Sequence, residues 1–268
     1  MKILVLIKQV PDRDARLVLD ESRRGLVETD LSWEINESDR YAIETGLRIK
    51  ESLGESGGDG EVVVCTIGPD RARKAISSAL AMGCDRGVHL CDEDFLGADP
   101  LAMARALAAV AQQEDYPLIL SGTRSDDAGY GETSLLLAGL LGRPAVFLTV
   151  GVELIDTSRV RVVRELERSR QEIAEVTLPA VLAVQSGIHE VRYTSLKGIM
   201  AAKRKPVATP TAESLGLSVE QIGRSGSRLE VLELAPPQKK GQCEFLDGEP
   251  AAVARDLVAK LQREAKVL

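Results

Sequence analysis

The 268-residue sequence is poor in the residues on which metal and redox centres usually depend. It contains two histidines and four cysteines, and no pair of cysteines has CxxC spacing. Few ligands remain for a metal ion, so we predict no metal site and expect reduced, buried cysteines. Aromatic residues make up only 3% of the chain. A flavin or base stacked between several rings of this chain is therefore not expected.

Long apolar runs are also missing from the sequence. No stretch reaches the roughly 18 uninterrupted apolar residues that a membrane span requires, and the first apolar run ends at Lys8. We therefore expect no direct membrane insertion and a cytoplasmic location. The net charge of −7 argues against nucleic acid as a partner. One local exception is a basic cluster formed by Lys197, Lys203, Arg204 and Lys205.

Candidate catalytic groups are scarce as well. His89 lies within a strand-like run, His189 precedes a weakly periodic region, and neither belongs to a recognisable catalytic triad. Both histidines are expected to be structural. Paired carboxylates are common in an acidic chain and are a weak sign of acid–base catalysis. We assign no catalytic residue.

The first 150 residues alternate short apolar runs with amphipathic segments. The apolar runs predict buried strands at 3–7, 62–67, 88–91, 118–121 and 145–150. The segments between them predict helices at 38–51, 71–82, 99–113 and about 132–141. Such a pattern is typical of an α/β fold with an open, doubly wound, mostly parallel sheet covered on both faces. We expect a nucleotide-binding domain of the flavodoxin-like or adenine nucleotide hydrolase-like type.

The pattern changes after residue 150. We predict strands at 159–166 and 172–176, which alternate in polarity or pair with a strand at 178–185. Their charge suggests an antiparallel addition at a sheet edge. Periodicity is then weak until a final amphipathic helix at 250–266. So long a region with little regular structure is unusual inside a compact domain. We therefore divide the chain into an α/β nucleotide-binding domain, 1–188, and a C-terminal arm and helix, 189–268, that packs on a partner.

A glycine-rich polar loop, from Gly122 to Thr133, connects the strand at 118–121 to an apolar helix. This geometry presents backbone N–H groups and the positive end of a helix dipole to an anion. Ligands of open parallel sheets bind beyond the carboxyl ends of strands, where strand order reverses. The chain near Ile7, Asn36 and Ile67 should share that crevice. On pattern alone, a solvated loop that caps its helix with Thr133 explains the same residues.

The loop carries side chains that suit a nucleotide. Its glycines would allow close backbone approach, its hydroxyl groups could donate to phosphate oxygens, and its carboxylates could accept from a ribose or adenine. These residues are Gly122, Gly129 and Gly131, then Ser125, Thr133 and Ser134, and finally Asp126 or Asp127.

A second unusual stretch covers residues 191–206. Thr194 or Ser195 could cap a short helix from Leu196 to Lys203, with Ile199 and Met200 on the face of Leu196. An exposed apolar residue beside a basic run suits docking onto a protein with an acidic rim. A surface helix with a solvated charge run is the alternative from composition alone.

Four blocks of the sequence resemble the β subunit of electron-transfer flavoproteins, in that family's order and over essentially the whole chain. They are MKILVLIKQVPD at 1–12, SALAMGCDRGVHL at 78–90, GTRSDDAGYGET at 122–133 and VRYTSLKGIMAAKRKP at 191–206. The resemblance implies a heterodimer whose larger α subunit holds most of a FAD. Such a dimer carries electrons from acyl-CoA-type dehydrogenases, as in fatty acid oxidation, to a membrane quinone reductase. It is an electron carrier rather than a catalyst with its own substrate chemistry.

By block matching, the resemblance also implies an adenine nucleotide bound by this chain. The implied contacts are Leu6, Asn36, Glu37, Ser38, Asp39, Ile67, Gly122, Thr123, Arg124, Ser125, Asp126, Asp127, Tyr130, Gly131, Glu132 and Thr133. Leu196 matches the family's anchor residue, which inserts into a pocket of the dehydrogenase. The docking residues implied with it are Tyr193, Lys197, Ile199, Met200 and Lys203.

The sequence departs from the family pattern at the flavin. Well-known members carry aromatic residues in the first loop and after an Asn-Pro turn, where this chain has Arg13 and Ser38, and Asn36 precedes Glu37 rather than proline. We expect Arg13 and Ser38 to form the flavin-pocket wall.

Two alternatives remain open. The bound nucleotide is AMP in single-FAD members and a second FAD in electron-bifurcating members, which act with NADH. The ending MAAKRKP resembles the former and the start KQVPD the latter, and we favour AMP because the arm is more diagnostic. A stand-alone adenine-nucleotide-binding module of the universal-stress type, a homodimer, is the alternative of a different class.

Overall fold

The computed structural model describes residues 1–237 and 243–267. Its strands are β1 (Lys2–Leu6), β2 (Gln9–Pro11), β3 (Trp33–Ile35), β4 (Glu61–Ile67), β5 (Arg86–Leu90), β6 (Leu118–Gly122), β7 (Ala145–Asp156), β8 (Arg159–Glu165), β9 (Gln171–Thr177), β10 (Ala180–Val184) and β11 (Val207–Ala208). Its helices are α1 (Glu37–Glu55), α2 (Arg73–Met82), α3 (Pro100–Gln113), α4 (Thr133–Leu141), α5 (Leu196–Ala202), α6 (Gly223–Gly226) and α7 (Pro250–Arg263).

The main sheet has the strand order β11-β5-β4-β1-β6-β10-β7-β8-β9. All pairs from β11 to β7 are parallel, whereas β8 and β9 extend one edge as antiparallel strands. The predicted α/β class with a doubly wound, mostly parallel sheet is therefore confirmed, as is the antiparallel addition at the edge. A separate antiparallel pair joins β2 and β3.

The position of β10 differs from the sequence-based expectation. It lies between β6 and β7 and does not pair with the charged strands β8 and β9. All five residues of β10 are buried, whereas β8 alternates the exposed Arg159 and Arg161 with the buried Val160 and Val162. A strand that is apolar on both faces belongs inside a covered parallel sheet, and an alternating strand belongs at its edge.

Two apolar layers cover the sheet. In β1, Ile3 and Val5 point toward α1 and α2, whereas Leu4 and Leu6 point toward α3 and α4. This alternation follows from the period of two in a strand. Because both faces of such a strand are buried, nearly every residue along it must be apolar.

Most predicted helix ends agree with the structure. Asp99 accepts a hydrogen bond from the Ala102 N–H at 2.8 Å as the N-cap of α3, and Gly83 ends α2 with a φ of +138°. The helix predicted from residue 71 begins at Arg73, after a short 3-10 turn. Thr133 is the first residue of α4 and does not cap it, because the N-cap position belongs to Glu132.

The region after residue 189 is partly held by the α/β domain. Strand β11 pairs with β5, and the side chains of Ala212 and Ile222 are buried in the core. By contrast, α7 buries none of its residues. The boundary at 188/189 stays a prediction.

The cysteine prediction is only half right. All four cysteines are free, but only Cys65 and Cys84 are buried; Cys91 is half-buried and Cys243 is exposed. Within the described ranges, no helix combines the length and apolarity needed to cross a membrane.

Candidate functional site

A crevice opens at the carboxyl ends of β1, β4 and β6. The chain runs from β1 to β4 and β5 on one side and then returns to β6 on the other side of β1, so strand order reverses between β1 and β6. A cavity of about 320 Å³ lies at this reversal. Parallel α/β sheets bind their ligands at such a position, and the volume is at the small end of ligand pockets.

The crevice has an apolar wall and a polar wall. The apolar wall includes Leu6, Cys65, Ile67, Phe95, Met103 and Leu107. The polar wall is the loop after β6, through residues 122–125, 128 and 130–134. Most of the predicted nucleotide contacts therefore line one cavity, and those that line it are Leu6, Asn36, Asp39, Ile67, Gly122, Thr123, Arg124, Ser125, Tyr130, Gly131, Glu132 and Thr133.

Four predicted contacts lie outside the cavity lining, namely Glu37, Ser38, Asp126 and Asp127. Ser38 is buried, and its hydroxyl donates to the carbonyl of Arg124 at 3.0 Å. The Lys8 ammonium contacts Asp127 at 2.7 Å. Although burial opposes ionisation of Asp127, this ammonium holds the pKa of Asp127 below its ordinary value. These side chains bind other parts of the chain instead of facing the cavity.

Asn36 fastens the glycine-rich loop to the start of α1. Its side-chain N–H donates to the carbonyl of Arg124 at 2.9 Å, and its carbonyl accepts from the backbone N–H of Asp126 at 2.8 Å. The side chain is almost fully buried. A buried amide with both ends bonded positions the loop precisely.

Asp39 joins two strand ends. Its carboxylate accepts a hydrogen bond from the backbone N–H of Lys8 at 2.7 Å and from that of Gly122 at 2.9 Å. Burial raises the pKa of Asp39 to about 7, against the lowering effect of those hydrogen bonds. Gly122 is required here because a Cβ would meet the side chains of Ser38 and Asp39. Its lack of a side chain thus makes room for the first turn of α1.

The anion-binding features of the loop lie at its end. Gly129 and Gly131 adopt positive φ values of +69° and +67°, which favour glycine. The first backbone N–H groups of a helix have no partner within it, and Thr133 and Ser134 begin α4 at the edge of the cavity. Lys8 and Arg124 add positive charge to the lining, although Lys8 is paired with Asp127 and Glu132 adds a negative charge.

Sequence reasoning missed part of the crevice. Lys8, residues 95–98, Met103 and Leu107 line it as well. Residues 95–98 follow β5, so the rule that ligands bind at carboxyl ends of strands could have found them. Met103 and Leu107 lie inside α3, and no local pattern separates them from ordinary core residues.

The histidines lie outside this cavity lining. His89 is buried, and its Nε2 lies 3.0 Å from the carbonyl oxygen of Gly68. Burial lowers the pKa of both His89 and His189. Within 1–237 and 243–267, no group of three or more His, Cys, Asp or Glu side chains is arranged to hold a metal ion.

We call residues 193–204 the docking segment. Ser195, one of the two predicted caps, accepts from the backbone N–H of Gly198 at 3.0 Å and starts α5. Leu196 is 83% exposed, Tyr193 95% and Met200 62%. The remaining predicted docking residues, Lys197, Ile199 and Lys203, are exposed as well. The large apolar side chains of the segment thus face solvent in this chain, whereas Ala202 packs against the core.

The predicted flavin-pocket wall is divided by the structure. Arg13 is at the surface, where its guanidinium contacts Glu37 at 2.9 Å. Ser38 is buried beneath the glycine-rich loop. Of the two, only Arg13 is on a surface that another molecule can touch.

The sheet and its crevice define a doubly wound α/β domain of the nucleotide-binding type. The family model for the electron transfer flavoprotein domain matches residues 24–215. The chain is 34% identical over 270 residues to the electron transfer flavoprotein subunit beta of Bacillus subtilis, with 100% of each chain covered. It is 31% identical over 259 residues to that of Methylophilus methylotrophus, covering 96% of this chain and 97% of the relative.

A third relative, the electron transfer flavoprotein subunit beta of Syntrophomonas wolfei, is 34% identical over 267 residues, covering 100% of this chain and 98% of the relative. The chain therefore belongs to the electron transfer flavoprotein β-subunit family. The resemblance inferred from the four sequence blocks is confirmed.

Proposed function

We propose that this chain pairs with an electron-transfer flavoprotein α subunit, and that the cytoplasmic heterodimer carries electrons from acyl-CoA-type dehydrogenases to a quinone reductase. The observation that carries the pairing is the C-terminal arm. Helix α7 buries none of its residues, and Leu232, Phe245 and Leu257 are exposed along the arm. A helix that buries none of its residues, in a segment that also exposes large apolar side chains, suits a surface that another protein covers.

The crevice is the proposed site of an AMP with a structural role. Its chemistry fits a mononucleotide, with an apolar wall for a base and, for a phosphate, the unpaired N–H groups at the start of α4 beside Lys8 and Arg124. We favour AMP over a second FAD, which adds a flavin and a ribityl chain, because the ending MAAKRKP of the arm segment resembles single-FAD members. A ligand here would connect β1 and β4 to the glycine-rich loop.

FAD, when bound between the subunits, supplies the capacity to take up and release electrons. The contribution of this chain to that site is a wall that includes Arg13, whose exposed guanidinium contacts Glu37 at 2.9 Å. No acid–base step is assigned to this chain. Its proposed tasks are to hold the nucleotide, close the flavin site and present the docking segment.

The cofactor content of the purified heterodimer tests the assignment of AMP. We expect one FAD and one AMP per dimer after denaturation and chromatography of the released nucleotides. Two FAD per dimer would instead support the electron-bifurcating alternative, in which a second FAD takes the place of AMP. A chain that purifies as a stable homodimer and does not bind a coexpressed α subunit would refute the pairing.

The docking role is tested by Leu196→Ala in the heterodimer. We expect electron transfer from a reduced acyl-CoA dehydrogenase to slow about tenfold, because an exposed anchor side chain that fills a partner's pocket contributes about 1 to 2 kcal/mol. Leu140→Ala, an exposed leucine on α4, is the matched control. The flavin absorbance spectrum should be unchanged in both variants, and equal stopped-flow rates for both would refute the role of Leu196.

A further inference from the structure

Two charged residues flank the docking segment, and both have their side chains bound to the α/β domain. Arg192 precedes it and contacts Glu44 and Glu51 of α1. Lys205 follows it and donates to the carbonyl oxygens of Leu80 and Cys84, at 3.0 Å and 2.5 Å, at the end of α2. The segment is thus fastened at both ends.

The contact at Arg192 has the geometry of a bidentate pair. The guanidinium donates to the two carboxylate oxygens of Glu44 at 2.7 Å and 3.0 Å, and the backbone N–H of Arg192 donates to the same carboxylate at 3.2 Å. The guanidinium also donates to the two carboxylate oxygens of Glu51, at 2.6 Å and 3.1 Å. Two parallel N–H donors in a fixed fork are a property of arginine that lysine lacks.

The two glutamates differ in burial. The Glu44 side chain is 2% exposed and the Glu51 side chain is 56% exposed. Burial opposes ionisation of Glu44, but the hydrogen bonds from Arg192 and Arg48 outweigh it and lower the pKa of Glu44. A buried carboxylate that is paired in this way is costly to unpair, whereas an exposed pair contributes little. Glu44 is therefore the stronger of the two anchors.

The middle of the segment is also held close to the domain. Helix α5 packs against α2, and a Cβ at Gly198 would meet the carbonyl oxygen of Ala81. With Gly198 facing inward, Leu196 and Met200 face solvent. The exposed apolar face is thus a consequence of how the segment is fastened.

We propose that Arg192 and Glu44 are positioning residues for docking: their ion pair holds the docking segment in the conformation that presents Leu196 and Met200. This inference rests on the proposed docking function. A segment that is already ordered does not lose further conformational freedom when the dehydrogenase binds, and so binds more tightly. Arg192 thus acts on the domain that carries the segment and not on a partner.

The test compares heterodimers carrying Arg192→Lys, Glu51→Gln or Leu196→Ala. Arg192→Lys keeps the positive charge, and Arg48 remains beside the buried Glu44 at 2.9 Å, but the substitution removes the fork. We expect amide hydrogen exchange across residues 193–204 to quicken about tenfold. The KM of an acyl-CoA dehydrogenase for the dimer should rise about threefold to tenfold, as the loss of one ordered side chain predicts, with kcat unchanged.

The controls separate this role from general stability. Glu51→Gln should change exchange and KM by less than about twofold, because an exposed pair contributes little. Flavin absorbance, AMP content and thermal unfolding should be the same in Arg192→Lys and Glu51→Gln. A rise in KM that only accompanies loss of AMP or of flavin overturns the positioning role.

The two proposals fail in different ways. If Leu196→Ala leaves KM unchanged, the docking function itself is wrong, and the positioning role falls with it. If Leu196→Ala raises KM but Arg192→Lys does not, docking stands and the inference about Arg192 and Glu44 is wrong. Unchanged hydrogen exchange in Arg192→Lys also overturns it.

Discussion

Helix α1 contributes buried polar side chains to two regions of the molecule, the crevice and the docking segment, and their positions relative to the exposed surface differ. At its first turn, Ser38 and Asp39 are buried, and their hydrogen bonds go to backbone groups around the crevice. Further along, Glu44 holds Arg192 so that its neighbours in the docking segment remain exposed. At the crevice, the buried side chains of α1 are thus part of the site itself, where Asp39 lines the cavity. At the docking segment, by contrast, the anchor Glu44 lies away from the exposed residues that it holds in place.

This contrast has an energetic consequence. Substitutions in the buried network around the crevice should change the free energy of unfolding, because they create overpacking or unpaired polar groups. Substitutions of exposed residues in the docking segment should leave the free energy of unfolding within about 0.5 kcal/mol of the wild-type value. They should change only the binding of partners. The following predictions test that division, starting with the largest expected effect.

Gly122→Ala should have the largest effect. A Cβ at this position meets the buried side chains of Ser38 and Asp39, so we expect the free energy of unfolding to fall by about 3 kcal/mol through overpacking. Urea denaturation of the heterodimer measures it. Gly139→Ala in α4, where a Cβ has open space, is the control and should be neutral or stabilising. Equal stability of the two variants would contradict the described packing at β6.

Asp39→Asn should show a pH-dependent loss of stability. The pKa of Asp39 is raised by burial to about 7 in the folded protein, from an ordinary value of 3.8. The folded state therefore keeps a proton that the unfolded state has lost, and this stabilisation is complete below about pH 4 and disappears as the pH rises through 7. Within that window the stabilisation from Asp39 falls steadily with each unit of pH.

Asparagine cannot ionise, so the difference in unfolding free energy between wild type and Asp39→Asn should shrink as the pH rises from 5 to 8. Asp126→Asn, at an exposed carboxylate of the glycine-rich loop, is the matched control. A difference that stays constant over this range would mean that burial does not raise the pKa of Asp39.

Lys203→Ala and Lys205→Ala should differ although both residues belong to one basic run. Lys205 donates to two carbonyl oxygens at the end of α2, so its loss should lower the free energy of unfolding by about 1.5 kcal/mol. Lys203 is exposed, so its loss should leave the free energy of unfolding unchanged. It should slow association with a dehydrogenase about twofold, and only at low salt. Thermal unfolding and stopped-flow rates at two salt concentrations measure both effects. Similar results for the two lysines would remove the distinction between anchors and docking residues.

Some features were predictable because they depend on local pattern. The runs at 3–7, 62–67 and 118–121 are apolar at every position or nearly so, which only a strand covered on both faces requires. Gly83 and Ser195 end and begin helices through backbone geometry and a side-chain cap that their own neighbours supply. The crevice followed from the carboxyl ends of the strands.

Other features were not predictable because they depend on which residues meet across the fold. Ser38 has no local mark of burial, yet the loop after β6 covers it. Lys205 looks like its exposed neighbours, and only the position of α2 gives it two acceptors. Strand β10 is inserted inside the sheet by pairing with β6, more than 55 residues earlier in the chain.

By itself, the sequence determined the class of fold, the edge of the sheet at which a ligand would bind and the family to which the chain belongs. Those properties follow from hydrophobic period, turn residues and local motifs, which act within a few residues of one another. Tertiary structure alone decided which polar groups are bonded within the chain and which face the crevice or the solvent. Buried polar groups must find partners, and in this chain the partners of Asn36, Asp39 and Arg192 lie on distant segments brought close by the sheet and α1.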